Sequence, residues 1–188
     1  MNEHSRSGED RRQQQNPVPV ESRTGQDQRS LLRNPDEIIE RYRKISIFEG
    51  LTIEQFKKII HICTKQKYSS QTAIYRMGEE SKNMFILLKG KLNIMFQSGE
   101  VWHNITPTGT VGEMGIFTGE PRSATVTAET DCVVFNFSKD ELFKLFHTDM
   151  DLNNKILMNV IKDLAKRLRK DNEKIEELYY RIFSLERL

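Results

Sequence analysis

The chain has 188 residues, 37% of them hydrophobic and 30% charged, and 29 basic against 27 acidic residues give a formal net charge of +2. That length holds one compact domain plus an accessory segment, the apolar share is too lean to fill a core along the whole chain, and the near balance of charge gives no electrostatic case for a dedicated nucleic-acid or membrane binder. The longest apolar run, Met84-Phe85-Ile86-Leu87-Leu88, is far below the roughly 20 residues that cross a bilayer, and the polar start Met1-Asn2-Glu3-His4-Ser5-Arg6 is no secretory signal, so a cytoplasmic protein without membrane contact is expected.

Residues 1–33 contain no aromatic side chain, a Gln13-Gln14-Gln15 run and the extended Asn16-Pro17-Val18-Pro19-Val20. Such a segment buries too little apolar area to offset the entropy of ordering it, and a disordered polar tail is expected, either a solvated leader or a short docking segment around Pro17–Val20. Order begins at Asn34-Pro35-Asp36-Glu37, where an N-cap asparagine, a proline at the first helical position and two acids predict a helix to about Lys44. Phe48-Glu49-Gly50-Leu51 breaks it, and Thr52-Ile53-Glu54-Gln55 is a capping-box pattern opening a second helix to about Cys63. From Gln71 to Phe137 the period becomes alternating, with Leu92, Ile94 and Phe96 facing one way and Lys91, Asn93 and Met95 the other. Turn signals at Gly78-Glu79-Glu80-Ser81, Lys89-Gly90, Ser98-Gly99-Glu100 and Thr106-Pro107-Thr108-Gly109 space these strands as an antiparallel sandwich or barrel. Ser138-Lys139-Asp140-Glu141 is a further capping box, starting a helix through about His147.

The last segment, residues 151–188, has the sharpest period. Leu157, Ile161, Leu164, Leu168, Asp171, Ile175, Leu178, Ile182 and Leu185 are spaced four and three apart without a slip, the repeat of a coiled-coil seam. With Leu157 at d, isoleucine dominates the a positions and leucine the d positions, which favours a parallel two-stranded pairing. The same stripe also suits a lone amphipathic helix lying along its own domain.

The chemistry concentrates in Gly112-Glu113-Met114-Gly115-Ile116-Phe117-Thr118-Gly119-Glu120-Pro121-Arg122-Ser123-Ala124-Thr125. The glycines allow close backbone approach, and a short helical turn near Glu113 would aim amide groups at an anion, for which a phosphate is the natural guest. Arg122 can grip phosphate oxygens in a planar fork. An acid so close, Glu113, makes sense when the ligand also carries a hydroxyl donor, as a ribose does. Glycines with one arginine also describe a tight loop with a surface ion pair. Elsewhere little catalytic chemistry is in sight. Cys63 and Cys132 stand alone as core thiols, and His4, His61, His103 and His147 have no paired metal-ligand spacing, so no metal, no cofactor and no enzymatic activity are expected. Trp102 either covers a purine ring or fills a hairpin face.

The cassette from Gly112 to Phe117 followed by Pro121-Arg122-Ser123-Ala124-Thr125 resembles the phosphate-binding cassette of the cyclic nucleotide-binding domain family, and the likeness extends over roughly residues 45 to 180. It includes Phe48-Glu49-Gly50-Leu51, Met77-Gly78-Glu79-Glu80 ahead of Phe85-Ile86-Leu87-Leu88-Lys89-Gly90, and the helix after Ser138. The resemblance implies an α+β, mainly β fold: a jelly-roll-like β-roll flanked by helices over residues 34–150, with a long C-terminal helix over 151–188. It implies that Glu113 binds a ribose hydroxyl, Arg122 the cyclic phosphate and Ser123 adds a hydroxyl, while backbone from Gly112, Met114, Gly115 and Ala124 lines the phosphate. The stretch Leu164 to Ile175 resembles the dimer helix of catabolite activator proteins, with Asp171-Asn172 where that family has a Thr-Ser pair at the base. Both can accept a hydrogen bond from an exocyclic amine, and Asp171 is either a ligand-linked switch or a register-setting polar residue. Because the sequence stops at Leu188, where those proteins go on to a DNA-reading helix-turn-helix, direct DNA binding is not expected. The expectation is a regulatory protein that binds cyclic AMP, or cyclic GMP, pairs as a homodimer through its last helix and signals to an unidentified protein effector. The alternative is a dimerisation or scaffold module with a degenerate pocket.

Overall fold

The computed structural model describes residues 42–185. The predicted tail and the predicted helix start at Asn34-Pro35 lie outside the described residues. A 3-10 turn, Ser46–Phe48, buries Ile47 and Phe48 and leads into α1, Ile53–Ile62. The capping box forms as its pattern predicts: Gln55 N donates to Thr52 Oγ1 at 3.2 Å and Thr52 N donates to Gln55 Oε1 at 3.1 Å, so two otherwise orphaned N–H groups are satisfied. Phe56, Ile59 and Ile60 face the core.

Eight strands follow: β1 Cys63–Tyr68, β2 Ala73–Tyr75, β3 Asn83–Lys89, β4 Leu92–Met95, β5 Val101–Ile105, β6 Thr110–Val111, β7 Thr125–Ala128 and β8 Cys132–Ser138. They form two four-stranded sheets, in the orders β1-β8-β3-β6 and β2-β7-β4-β5, and their pairings are antiparallel. The sheets start earlier than the alternating pattern indicates. β1 pairs with β8 from Cys63 to Tyr68, yet it is an edge strand buried only at its two ends, and the polar Thr64-Lys65-Gln66-Lys67 between them is the composition a sheet edge tolerates.

The core has two parts. Phe85, Leu87, Cys132 and Val134 face a cluster that includes Leu92, Ile105 and Val126, while Met84, Ile86, Phe135 and Phe137 face one built with the helices. β3 is therefore buried on both faces, which is why Met84 to Leu88 reads as an apolar run instead of an alternation. The predicted alternation around Leu92 and Ile94 holds only as far as β4 extends. A register shift follows Ile94, and Phe96 lies beyond the strand, half-exposed and packed edge-on against Trp102 at 4.4 Å. Trp102 thus belongs to a hairpin tip.

After β6 comes α2, Glu113–Thr118; after β8 come α3, Lys139–Thr148, and α4, Met150–Leu185. Ser138 does cap α3 by position, but its side chain makes no cap hydrogen bond, contrary to the predicted capping box. It is also the last residue of β8, in register with Asn83, so its backbone is committed to the ladder. α4 is a single helix of 36 residues with two environments. Its first half docks on its own domain through Leu152, Ile156 and Val160, with Leu164 packed alongside. Asn159 Nδ2 donates to the carbonyls of Ile47 at 3.1 Å and Glu49 at 2.8 Å, and Ser46 Oγ donates to Asp163 Oδ2 at 2.5 Å. Ile161, Leu168, Ile175 and Ile182 are instead 55–62% exposed. The seam therefore divides, Leu164 serving the chain's own core and the isoleucine-rich row remaining open.

Candidate functional site

α2 sits between Gly112 and Gly119, both left-handed at φ 83° and 81°. At Gly112 the conformation coincides with close approach, because a Cβ there would collide with Arg122 Nη1 and lie 3.0 Å from the Asn83 carbonyl. Gly115 has no such φ but no room either: a Cβ would strike Ser81 Oγ and stand 2.6 Å from Ser81 Cβ. Gly115→Ala is expected to lower stability by about 1–3 kcal/mol through overpacking, seen as a reduced midpoint in thermal melts; an unchanged midpoint would mean that Ser81 yields freely.

Arg122 is buried and its backbone is locked to the preceding turn, with Arg122 N donating to Glu79 O and Gly78 N donating to Arg122 O, each at 2.8 Å. Its Nη1 donates to Gly112 O at 3.2 Å and its Nη2 to Asn83 O at 2.6 Å. The guanidinium carbon lies 4.1 Å from the centroid of the Tyr75 ring, and Nε is buried without a partner. A guanidinium has five N–H donors, so three of them stay uncommitted here. Burial pulls its pKa down, against the pull of the acidic groups around it, Glu79 and Glu113 among them.

Glu113, the first residue of α2, is also buried. Its Oε1 accepts from Arg167 Nη1 at 2.6 Å, and Arg167 Nη2 donates to Thr110 O at 2.9 Å and Thr110 Oγ1 at 2.7 Å. Its Oε2 has no partner. Burial pushes this carboxyl above its usual range while Arg167 opposes the shift. One cavity of about 70 Å³ gathers these groups. The predicted residues Gly112, Glu113, Met114 and Gly115 line it together with Arg122, Ser123 and Ala124, and Ile94, Val111 and Val126 supply apolar wall.

Asp171 and Asn172 are not among the lining residues. They lie one turn beyond Arg167 on α4, where Asp171 stands 4.0 Å from Lys174 Nζ. That turn faces β5: burial pulls the His103 imidazole pKa down, Lys174 and Lys170 add to the effect, and Asp171 opposes it. Arg167 is the charged lining residue that sequence reasoning missed. It is one cation among Lys166, Arg167, Arg169 and Lys170, and nothing local distinguishes the one that packing turns inward. Among the described residues no cluster of potential metal ligands occurs, and no helix is long and apolar enough to cross a membrane.

Residues 65–149 match the model of the cyclic nucleotide-binding domain family. This stretch, which contains the whole cassette, is similar to that family. Among curated proteins it is similar to the cAMP-activated global transcriptional regulator CRP of Salmonella typhimurium, 29% identical over 134 residues that cover 69% of this chain and 60% of that protein. The chain thus spans about 60% of the length of this relative. Among solved structures, a cyclic nucleotide-binding domain from Methylobacillus flagellatus aligns with a TM-score of 0.67 at 23% identity, covering 75% of this chain and 82% of that one. The catabolite activator protein of Thermus thermophilus aligns with a TM-score of 0.60 at 20% identity, covering 71% and 62%. At these identities the structures establish the fold: a mainly β, jelly-roll-like domain with flanking helices and a long C-terminal helix. The cassette lies within the residues matched to the family, and Arg167 lies beyond them.

Proposed function

We propose that the chain is a non-enzymatic, cytoplasmic sensor of a cyclic nucleotide, cyclic AMP first and cyclic GMP second, working as a homodimer through α4 and signalling to a protein effector. One observation carries this reading: Glu113 Oε2 and Arg122 Nε are buried polar atoms without partners on side chains lining one cavity. An unpaired buried acceptor and an unpaired buried donor each cost about 1–3 kcal/mol, and a ligand bearing a hydroxyl and an anionic phosphodiester satisfies both. The naming of the curated relatives as cAMP-activated supports the choice of base.

In this mechanism the phosphate takes the free N–H groups of Arg122, and the ribose hydroxyl donates to Glu113. Arg167 lines the same cavity, so a ligand that engages Glu113 bears directly on the contact between Glu113 and Arg167. Arg167 ties Glu113 to α4, and α4 in turn holds the turn at Ser46–Phe48 through Asn159 and Asp163. Ligand shifts this arrangement only by its differential affinity for the two states.

Calorimetric titration with cyclic AMP, cyclic GMP and a cyclic dinucleotide tests the reading, and absence of heat with all of them would overturn it in favour of a scaffold with a silent pocket. For the dimer, the open row of Ile161, Leu168, Ile175 and Ile182 is the supporting observation. Leu168→Glu is expected to halve the mass seen by light scattering. Leu164 is the poorer choice, since it packs on its own core.

A further inference from the structure

β2 departs from strand alternation at the cavity. Ala73 pairs with Thr127 and Tyr75 with Val126, a register shift, and the consecutive residues Ile74 and Tyr75 are both buried. A bulge of this kind re-aims a side chain, and it places Tyr75 in the cavity lining beneath Arg122. The Tyr75 ring stacks on Phe85 at 6.1 Å and 25°, and Phe85 meets Tyr68 edge-on at 6.5 Å. A column of aromatic rings thus rises from the core and ends under the guanidinium.

The two hydrogen bonds from Arg122 to Gly112 O and Asn83 O fix an axis, but a planar group held at two points can still roll about the line joining them. Roll decides whether the three uncommitted N–H groups face the cavity or its wall. The ring 4.1 Å from Cζ blocks that motion, and its face attracts the cation. We infer that Tyr75 is a positioning residue for anion capture, setting the tilt of the Arg122 guanidinium so that its free N–H edge meets the phosphodiester. This rests on the cyclic-nucleotide reading, and it adds a residue outside the cassette, 47 positions before Arg122 in the chain.

The experiment compares wild type, Tyr75→Leu and Tyr75→Phe by calorimetric titration with cyclic AMP, with folding checked by circular dichroism and the arginine Nε–H resonances followed by NMR. Tyr75→Leu is expected to lose about tenfold to thirtyfold in affinity, the scale of a desolvated cation–π contact. Tyr75→Phe, which keeps the ring, is expected to stay within about threefold of wild type. The ring over Arg122 is expected to shield the Arg122 Nε–H signal in wild type, and that signal is expected to move downfield in Tyr75→Leu. If Tyr75→Leu does not fold, Tyr75→Ile, suited to a strand, takes its place. Wild-type affinity in the leucine variant, or equal loss in the phenylalanine variant, would overturn the inference while leaving the proposed function standing. A wild-type chain that binds neither cyclic AMP nor cyclic GMP overturns the proposed function instead. The ring contact is then judged by the wild-type resonance, and a signal at the position of an exposed arginine refutes it.

Discussion

Arg122→Ala is expected to reduce affinity for cyclic AMP at least about 30-fold, because truncating one partner of a buried charged contact costs about 2–5 kcal/mol. Arg122 is the cation of the cavity whose Nε is buried and free. Arg167, the other guanidinium in the lining, is committed to Glu113 and Thr110. Lysine at position 122 should recover little, since one ammonium on a flexible stem does not reproduce the planar fork that reaches Gly112 O and Asn83 O together. The alanine variant also strips donors from those two carbonyls, so its melting midpoint should fall too. The measurement that isolates the ligand is therefore calorimetry well below that midpoint, and unchanged affinity there would remove the phosphate from this cavity.

Arg167→Ala is expected to destabilise the domain and to do so in a pH-dependent way. In wild type the Glu113 carboxylate is buried against the Arg167 cation at 2.6 Å. Removing the cation takes away the largest opposition to burial, and the folded-state pKa of Glu113, already raised, rises further above its unfolded value. A carboxyl in that condition favours the fold when protonated, so the stability deficit is small below the unfolded pKa and grows as pH rises towards and through the folded one. The deficit relative to wild type should thus be near its minimum around pH 4 and reach about 1–3 kcal/mol at neutral pH, less than for a fully buried pair because Arg167 is 32% exposed. Thermal melts of both proteins across this range check it, and a deficit that does not change with pH would show that Arg167 acts through packing alone. In the proposed mechanism the same variant uncouples the pocket from α4, so cyclic AMP should no longer alter the exchange protection of the Ser46–Phe48 turn.

The cassette was legible in the sequence because its parts are local. Gly112, Glu113 and Arg122 lie within one short stretch, so the residues that line the cavity together are already neighbours in the chain. The edge strand β1 was not legible, since hydrogen bonding to β8 needs no apolar alternation on a strand whose middle stays partly in solvent. Ser138 misled for the opposite reason: its capping pattern is intact, but the strand it closes decides its backbone.

What the sequence determined by itself was whatever depends on nearest neighbours and period: the capped α1, the turns, the clustering of glycines with Glu113 and Arg122 between Gly112 and Ala124, and a last helix with an unbroken seam. Only the tertiary structure decided which side of that seam serves the domain, which of several cations on α4 meets Glu113, and that a bulge in β2 sets Tyr75 under Arg122. Those choices come from how helix and sheets pack. Glu113 and Arg167 are 54 residues apart in the chain, and packing at that distance leaves no mark on the spacing of either one.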